Sequence, residues 1–191
     1  MKFIQKVFFR LRERISNLFL HTARKAYWSL QGMEIGHGVN LPKLFITWPH
    51  QIKIGMNSTL EQGIYFKFDG VWSPGPKIHI GNNCFVGAHS EINIRRGISI
   101  GNDCLIASNC KFIDHDHGYA RRDIPMNIQT DGAEMSIILE ENVWLGVNVV
   151  VLKGVKIGRG SIVAAGSVVT NSIPSYEIWG GIPARKISER H

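Results

Sequence analysis

The chain has 191 residues, 44% of them hydrophobic and 19% charged. That bounds it to one main globular domain with room for an appendage. Its formal net charge is +7. Residues 1–31 hold Lys2, Lys6, Arg10, Arg12, Arg14, Arg24 and Lys25 against Glu13, or 7 − 1 = +6. The rest of the chain is nearly neutral, which argues against nucleic-acid binding through the body of the protein. Three cysteines, Cys84, Cys104 and Cys110, read as small core residues and not as metal ligands or a disulfide framework, in keeping with a reducing compartment.

Residues 2–31 are predicted to be helical. Phe3, Ile4, Val7, Phe8, Leu11, Ile15, Leu18, Phe19 and Thr22 recur at helical spacing, with basic residues between them. Charge interrupts the stretch too often for a transmembrane span, and it lacks the unbroken apolar run of a signal peptide. Two uses fit this basic amphipathic helix, with Tyr27 and Trp28 near its end: packing on protein, or lying on an anionic membrane surface.

From about Glu34 a six-residue beat begins, with imperfect units opening at Ile35-Gly36, Ile54-Gly55 and Leu60-Glu61. Asp69 to Pro76 is a turn-rich insertion. The beat is regular from Ile78 to about Phe112, as in Ile80-Gly81-Asn82-Asn83-Cys84-Phe85 and Ile100-Gly101-Asn102-Asp103-Cys104-Leu105. It returns for six consecutive units from Leu139 to Thr170. Each unit opens with an aliphatic residue, usually followed by a small one, and the fifth place is compact: Cys84, Ser90, Cys104, Cys110, Val143, Val149, Val155, Ser161, Ser167. A fixed short period is the mark of a solenoid. Two apolar anchors per six residues do not suit a helix of period 3.6, but they suit a short strand followed by a tight corner. Three such sides close one coil of a triangular prism. The aliphatic residue points inward, the second place needs Gly or Ala at a cramped corner, and Asn82, Asn83, Asn102, Asp103 and Asn142 suit turns with unusual backbone angles.

A polar excursion over about 114–136 separates the two sets of coils, and a tail from Pro174 to His191 is expected to leave the prism. The domain organisation expected is therefore a helix over 1–31, a β-helix over 34–173 and a tail over 174–191. Long loops in compact repeat domains are usually functional. This one opens with Asp114-His115-Asp116-His117-Gly118-Tyr119. An imidazole titrates near neutrality and can take a proton from a hydroxyl or amine, while a neighbouring carboxylate fixes its tautomer. A metal site or a plain solvated loop are the alternatives. A metal would need further ligands, and His89 could join only through the fold.

The chain resembles the hexapeptide-repeat acyltransferases, in the branch of maltose and galactoside acetyltransferases and polysaccharide O-acetyltransferases. The resemblance covers about residues 78–187. It rests on Glu141-Asn142-Val143-Trp144-Leu145-Gly146, Val155-Lys156-Ile157-Gly158, Val163-Ala164-Ala165-Gly166-Ser167-Val168-Val169-Thr170 and Gly180-Gly181-Ile182-Pro183-Ala184-Arg185-Lys186-Ile187. It implies a mainly β fold, a left-handed parallel β-helix, and direct acetyl transfer from acetyl-CoA to a sugar hydroxyl, with no covalent enzyme intermediate and no metal. It implies a histidine general base: a gapless count from Ile100-Gly101 falls on His117, with His115 the competitor. Further implied roles are Trp144 as a cleft wall, the Val147 N–H as oxyanion donor, and Gly146 and Ala165 along the pantetheine. Thr170, Arg185 and Lys186 would lie near the CoA nucleotide, with Arg159 a further cation. Asn171 stands where a lysine is often found. His89, Glu91 and Asn93 are implied on the acceptor side, and Tyr119, Arg121 and Arg122 could line its pocket. Gly87 stands where related sugar enzymes carry Asn, and the segment before the coils does not resemble the maltose enzymes' helical cap.

The resemblance also implies a homotrimer with its active sites between subunits. The basic helix then suggests a cytoplasmic enzyme, peripheral to the inner face of the membrane, in surface-polysaccharide synthesis. Other functions compatible with the fold are acetylation of a small free acceptor such as an amino-sugar nucleotide or an antibiotic, a metal-dependent hydratase of the γ-carbonic-anhydrase type, and a non-catalytic scaffold.

Overall fold

The structure is a computed structural model, and it describes residues 4–5 and 21–191. Of the helix expected over 2–31, residues 4–5 and 21–30 are helical, Gln31 already belongs to the turn that follows, and the remainder lies outside the described residues. No described helix is long and apolar enough to cross a membrane. From Glu34 onward the chain winds through short parallel strands that form three sheets, one on each side of a prism.

The first face stacks Glu34–Ile35, Ile52–Ile54, Ile78–Ile80, Ile98–Ile100, Ile137–Leu139 and Lys156–Ile157. The second stacks Thr59–Leu60, Phe85–Val86, Leu105–Ile106, Trp144–Leu145, Ile162–Val163 and Glu177–Gly181, with Ala184–Glu189 at its edge. The third stacks Phe45–Ile46, Tyr65–Phe68, Glu91–Ile94, Lys111–Ile113, Val150–Leu152 and Val168–Val169.

The aliphatic first place of each unit explains the core. Ile54, Ile80, Ile100, Leu139 and Ile157 form one inward column. Leu60, Val86, Ile106, Leu145 and Val163 form the second. Phe66, Ile92, Phe112, Val151 and Val169 form the third. All are buried. Register is fixed because a slip by one residue would turn each column to solvent.

Corners obey a second rule. A Cβ on Gly81, Gly87, Gly101, Gly146 or Gly158 would lie 2.4–2.7 Å from backbone of the next coil, so the coils stack only if these corners carry no bulk. The fourth place turns with positive φ, from 56° to 61° at Asn57, Asn83, His89, Asp103, Asn109, Asn142 and Asn148. Asn82 and Asn102, expected at unusual angles, differ. Their side-chain carbonyls each accept a third-place N–H of the preceding coil, from Met56 and Asn82 respectively, at 2.8 Å.

The compact fifth place also bonds. Ser58, Cys84, Ser90, Cys104, Cys110 and Ser161 donate to the second-place carbonyl of the next coil, at Gly81, Gly101, Ala107, Glu140, Gly146 and Pro174. A buried corner carbonyl is thereby satisfied without enlarging the interior. The three cysteines are buried and free.

The C-terminal tail departs from expectation. Ile178 and Trp179 pair in parallel with Ile162 and Val163, so the chain continues the second face after Pro174 before it turns back as the hairpin Glu177–Gly181 with Ala184–Glu189. The apolar Ile178-Trp179 pair fits the last coil, and buried Ala184 anchors the return strand.

Candidate active site

The excursion leaves the prism after Ile113, at the corner between the third and first faces. Its stem is a narrow antiparallel ribbon. His115 bridges Glu134, the Asp116 N–H donates to Ala133 at 3.0 Å, and the Met135 N–H donates to Asp114 at 2.9 Å. Farther out, Gln129 is buried and clamps the loop. It accepts the Arg121 N–H and donates to the carbonyls of Arg121 and Ile124. The backbone comes close at Gly118 and Gly132, where a Cβ would meet Asp131 or the Asp116 carbonyl at 2.1 Å.

The stem sorts the two histidines. Asp114 is fully buried and accepts the N–H groups of Arg95, Arg96 and Gly97 at 2.7–2.8 Å, which fastens the excursion to the coil below. The His115 side chain is 5% exposed; its Nδ1 lies 3.0 Å from Asp114 Oδ1 and its Nε2 3.7 Å from Asp69 Oδ2. His117 is exposed and has no hydrogen-bond partner among the described residues. Asp116 between them is paired with Lys153. One imidazole is thus enclosed by carboxylates, and the other faces solvent beside Gly118.

Asp69 was not singled out by sequence reasoning. It gathers Lys67 Nζ at 3.5 Å and Arg95 Nη2 at 3.6 Å, and Arg95 reaches Glu134 of the stem at 3.8 Å. Asp69, Arg95 and Glu134, with Phe68, Val71 and Lys77, line an open pocket of about 300 Å³. Arg95 Nε and Asn93 Oδ1 are buried without hydrogen-bond partners among the described residues. Asn93 stands in register with Ile113, immediately before the excursion, while Glu91 is paired with Lys111 at 2.9 Å. His89 is a corner residue packed on Gly63 of the preceding coil. Tyr119 is exposed.

A second feature lies on another corner, between the second and third faces. A neighbouring side chain caps the third-place N–H at Met56, Asn82 and Arg159, on the corner between the first and second faces, and at Ala88 on this one. Along this corner the N–H groups of Ser108, Val147 and Ala165 have no partner among the described residues. They form a column of outward donors, because Gly146 and Ala165 sit directly over one another. Trp144 is exposed on the adjoining face, in register between Leu105 and Ile162. Sequence reasoning named Gly146, Val147 and Ala165 but not the missing side-chain caps. The signal was present: Asn or Glu stands at the second or third place of a neighbouring coil where the amides are capped, and the matching places beside Val147 hold Ala107, Ser108, Ala164 and Ala165.

The expected nucleotide-binding residues are unequal. Thr170 and Arg185 are exposed, and Arg185 donates to its own neighbour's carbonyl at Ala184. Lys186 is held by Glu177 and Glu189 at 2.7 Å each, with its ammonium stabilised first by Glu177. Arg159 pairs with Glu141 at 3.2 Å. Arg185 is therefore freer for an added anion than Lys186 or Arg159.

Known proteins share this architecture. The family described as bacterial transferase hexapeptide (six repeats) matches residues 136–171, and that described as hexapeptide repeat of succinyl-transferase matches residues 77–110. The protein named "Putative lipopolysaccharide biosynthesis O-acetyl transferase WbbJ", from Escherichia coli K12, is 37% identical over 118 residues, covering 59% of this chain and 60% of its own length. Galactoside O-acetyltransferase of Escherichia coli K12 is 33% identical over 138 residues, covering 71% of this chain and 63% of its own length. The chain thus spans less than two thirds of the length of these relatives. Among solved structures, the N-acyltransferase AntD of Bacillus cereus superposes with a TM-score of 0.75 at 23% identity, covering 88% of each chain. The hexapeptide-repeat acetyltransferase VCA0836 of Vibrio cholerae, complexed with acetyl-CoA, gives 0.62 at 25% identity over 94% of this chain and 84% of its own. The left-handed β-helix implied by the family resemblance agrees with these likenesses. Repeat register, corner chemistry and these matches together make the chain a member of the hexapeptide-repeat acetyltransferase family.

Proposed function

We propose that the chain is an acetyl-CoA-dependent O-acetyltransferase acting on a sugar hydroxyl in surface-polysaccharide synthesis, on the cytoplasmic side of the membrane. The observation that carries this reading is the exposed His117 at the rim of a rigid, doubly anchored stem. A general base must touch its substrate, and the enclosed His115 offers no such access. His115 and Asp114 act as the fastener that positions the stem.

In the reaction, a ring nitrogen of His117 takes the proton of the acceptor hydroxyl as that oxygen attacks the thioester carbonyl carbon. The tetrahedral oxyanion accepts a hydrogen bond from the Val147 N–H. The C–S bond then breaks, and the imidazolium returns its proton to the departing CoA sulfur. The pantetheine amides would lie along the donor column at Val147 and Ala165, past Trp144, with Thr170 and Arg185 toward the nucleotide. Asn93, half-buried and in register with the last residue before the excursion, and Tyr119 are the candidate acceptor contacts.

His117 and the donor column stand on different corners of one prism, with the third face between them. A second copy brings them together most simply, and a closed homotrimer would form three equal sites. Titration calorimetry with acetyl-CoA tests the donor. Binding that weakens in Arg185→Ala is expected, whereas a wild-type chain that binds no acetyl-CoA overturns the reading. Release of CoA thiol with a panel of sugars and amino-sugar nucleotides then separates O-transfer from N-transfer.

A further inference from the structure

An apolar surface lies toward the N-terminal end of the prism, on the same corner as the excursion, and its Val71 also lines the pocket of Asp69, Arg95 and Glu134. Helical residues 21–30 are turned in an unexpected sense. His21, Arg24, Lys25 and Trp28, at helical spacing, are the half-buried face, and the Leu41 N–H donates to His21 Nδ1 at 3.3 Å. Ala23, Ala26, Tyr27 and Leu30, also at helical spacing, face outward. Tyr27 is 58% and Leu30 88% exposed. In the sequence, the same apolar spacing runs back through Phe19, Leu18 and Ile15.

The surface continues onto the coils. Gly32, two residues after Leu30, packs on His50, where a Cβ would approach to 2.8 Å. The His50 ring stacks on Trp72 at 5.8 Å and meets Trp48 edge-on at 5.8 Å. Trp72 is 64% and its neighbour Val71 88% exposed. They are displayed on a fastened loop, because Gln51 Nε2 donates to the Ser73 carbonyl at 2.6 Å and the His50 ring also contacts that carbonyl.

We infer that Tyr27, Leu30, Val71 and Trp72 form one wedge that enters the interfacial layer of an anionic membrane. Exposed Tyr and Trp beside aliphatic tips suit the headgroup boundary. Arg24 and Lys25 lie on the half-buried face of this helix, and in the sequence residues 1–31 carry seven basic residues and one acidic. A segment of that net charge repels a second copy of itself and attracts anionic lipid, by about 1 kcal/mol per basic residue near the surface. The inference rests on the proposed function only for its setting, a lipid-linked glycan acceptor.

The test uses the full chain and co-sedimentation with phosphatidylcholine vesicles, with and without phosphatidylglycerol. The wild type should sediment with the anionic vesicles only. Val71→Asp with Trp72→Ala, and separately Leu30→Glu, should weaken that partition about tenfold or more. Calorimetry on the same variants should find acetyl-CoA binding unchanged, which separates loss of the wedge from misfolding. Failure of the wild type to sediment, or variants that sediment like it, overturns the inference. So does a variant whose mass in light scattering changes while its vesicle partition does not, which assigns the patch to a second copy. Because the vesicle assay needs no acetyl transfer, it can fail while the enzymatic reading stands, and the reverse.

Discussion

His115 and His117 are two residues apart, and their surroundings give them opposite tasks. Removing the proposed base, His117→Ala, should lower kcat by about 10²–10⁴-fold and leave thermal stability and acetyl-CoA affinity unchanged. His115→Ala should act through the fold. It leaves Asp114 with an empty side beneath the stem and should lower Tm, with the activity loss following the unfolding. Steady-state kinetics beside thermal denaturation distinguishes the two, and equal kinetic defects without a Tm change in either would reverse the assignment. A second residue-scale prediction concerns Cys110. Burial pushes its thiol up from 9.0 to about 11. The folded state therefore holds that proton longer than the unfolded chain, so its contribution to stability is complete below pH 9 and is lost as pH rises from 9 toward 11, by about 1.4 kcal/mol per unit. Cys110→Ser keeps a donor for the Gly146 carbonyl and should flatten the alkaline limb of a denaturant-midpoint against pH curve.

At the scale of the element, one coil is a set of positions with separate physical demands. Gly101 and Gly166 show how far these differ. A Cβ at Gly101 would lie 2.7 Å from Glu140 backbone, whereas Gly166 has positive φ with nothing near. Gly101→Ala should therefore cost about 1–3 kcal/mol in chemical denaturation. Gly166→Asn should change stability by no more than about 0.5 kcal/mol, because Asn already turns this corner at Asn109 and Asn148. These demands explain what could be read from the sequence. The three inward columns were legible because the beat places Leu139 and Ile157, Leu145 and Val163, and Val151 and Val169 each 18 residues apart. The pairing of adjacent Asp114 and His115 was readable too. The enclosure of His115 was not, because Asp69 comes from an insertion with no period, two coils below. The hairpin after Pro174 was also hidden: the tail was expected to leave the prism, and only the fit of Ile178 and Trp179 onto Ile162 and Val163 returns the chain to the sheet.

The whole molecule poses a problem that no single residue does. Its exposed imidazole and its unpaired amide column occupy separate corners, held apart by a rigid face of stacked strands. Flexing a solenoid to close that gap would break ladder hydrogen bonds between coils, whereas a second copy brings the corners together at no such cost. The consequence is a complementation experiment. His117→Ala removes the base, and Ala165→Glu, at an exposed corner, blocks the donor column. Each protein alone should be inactive. When the two are unfolded together, refolded and reassembled at equal amounts, about one quarter of the shared sites receive an intact histidine from one subunit and an intact column from another. Activity near a quarter of wild type is then expected from acetyl-CoA thiol release. If both halves of a site came from one chain, every site in the mixture would carry a defect and the activity would stay at the level of the separate variants.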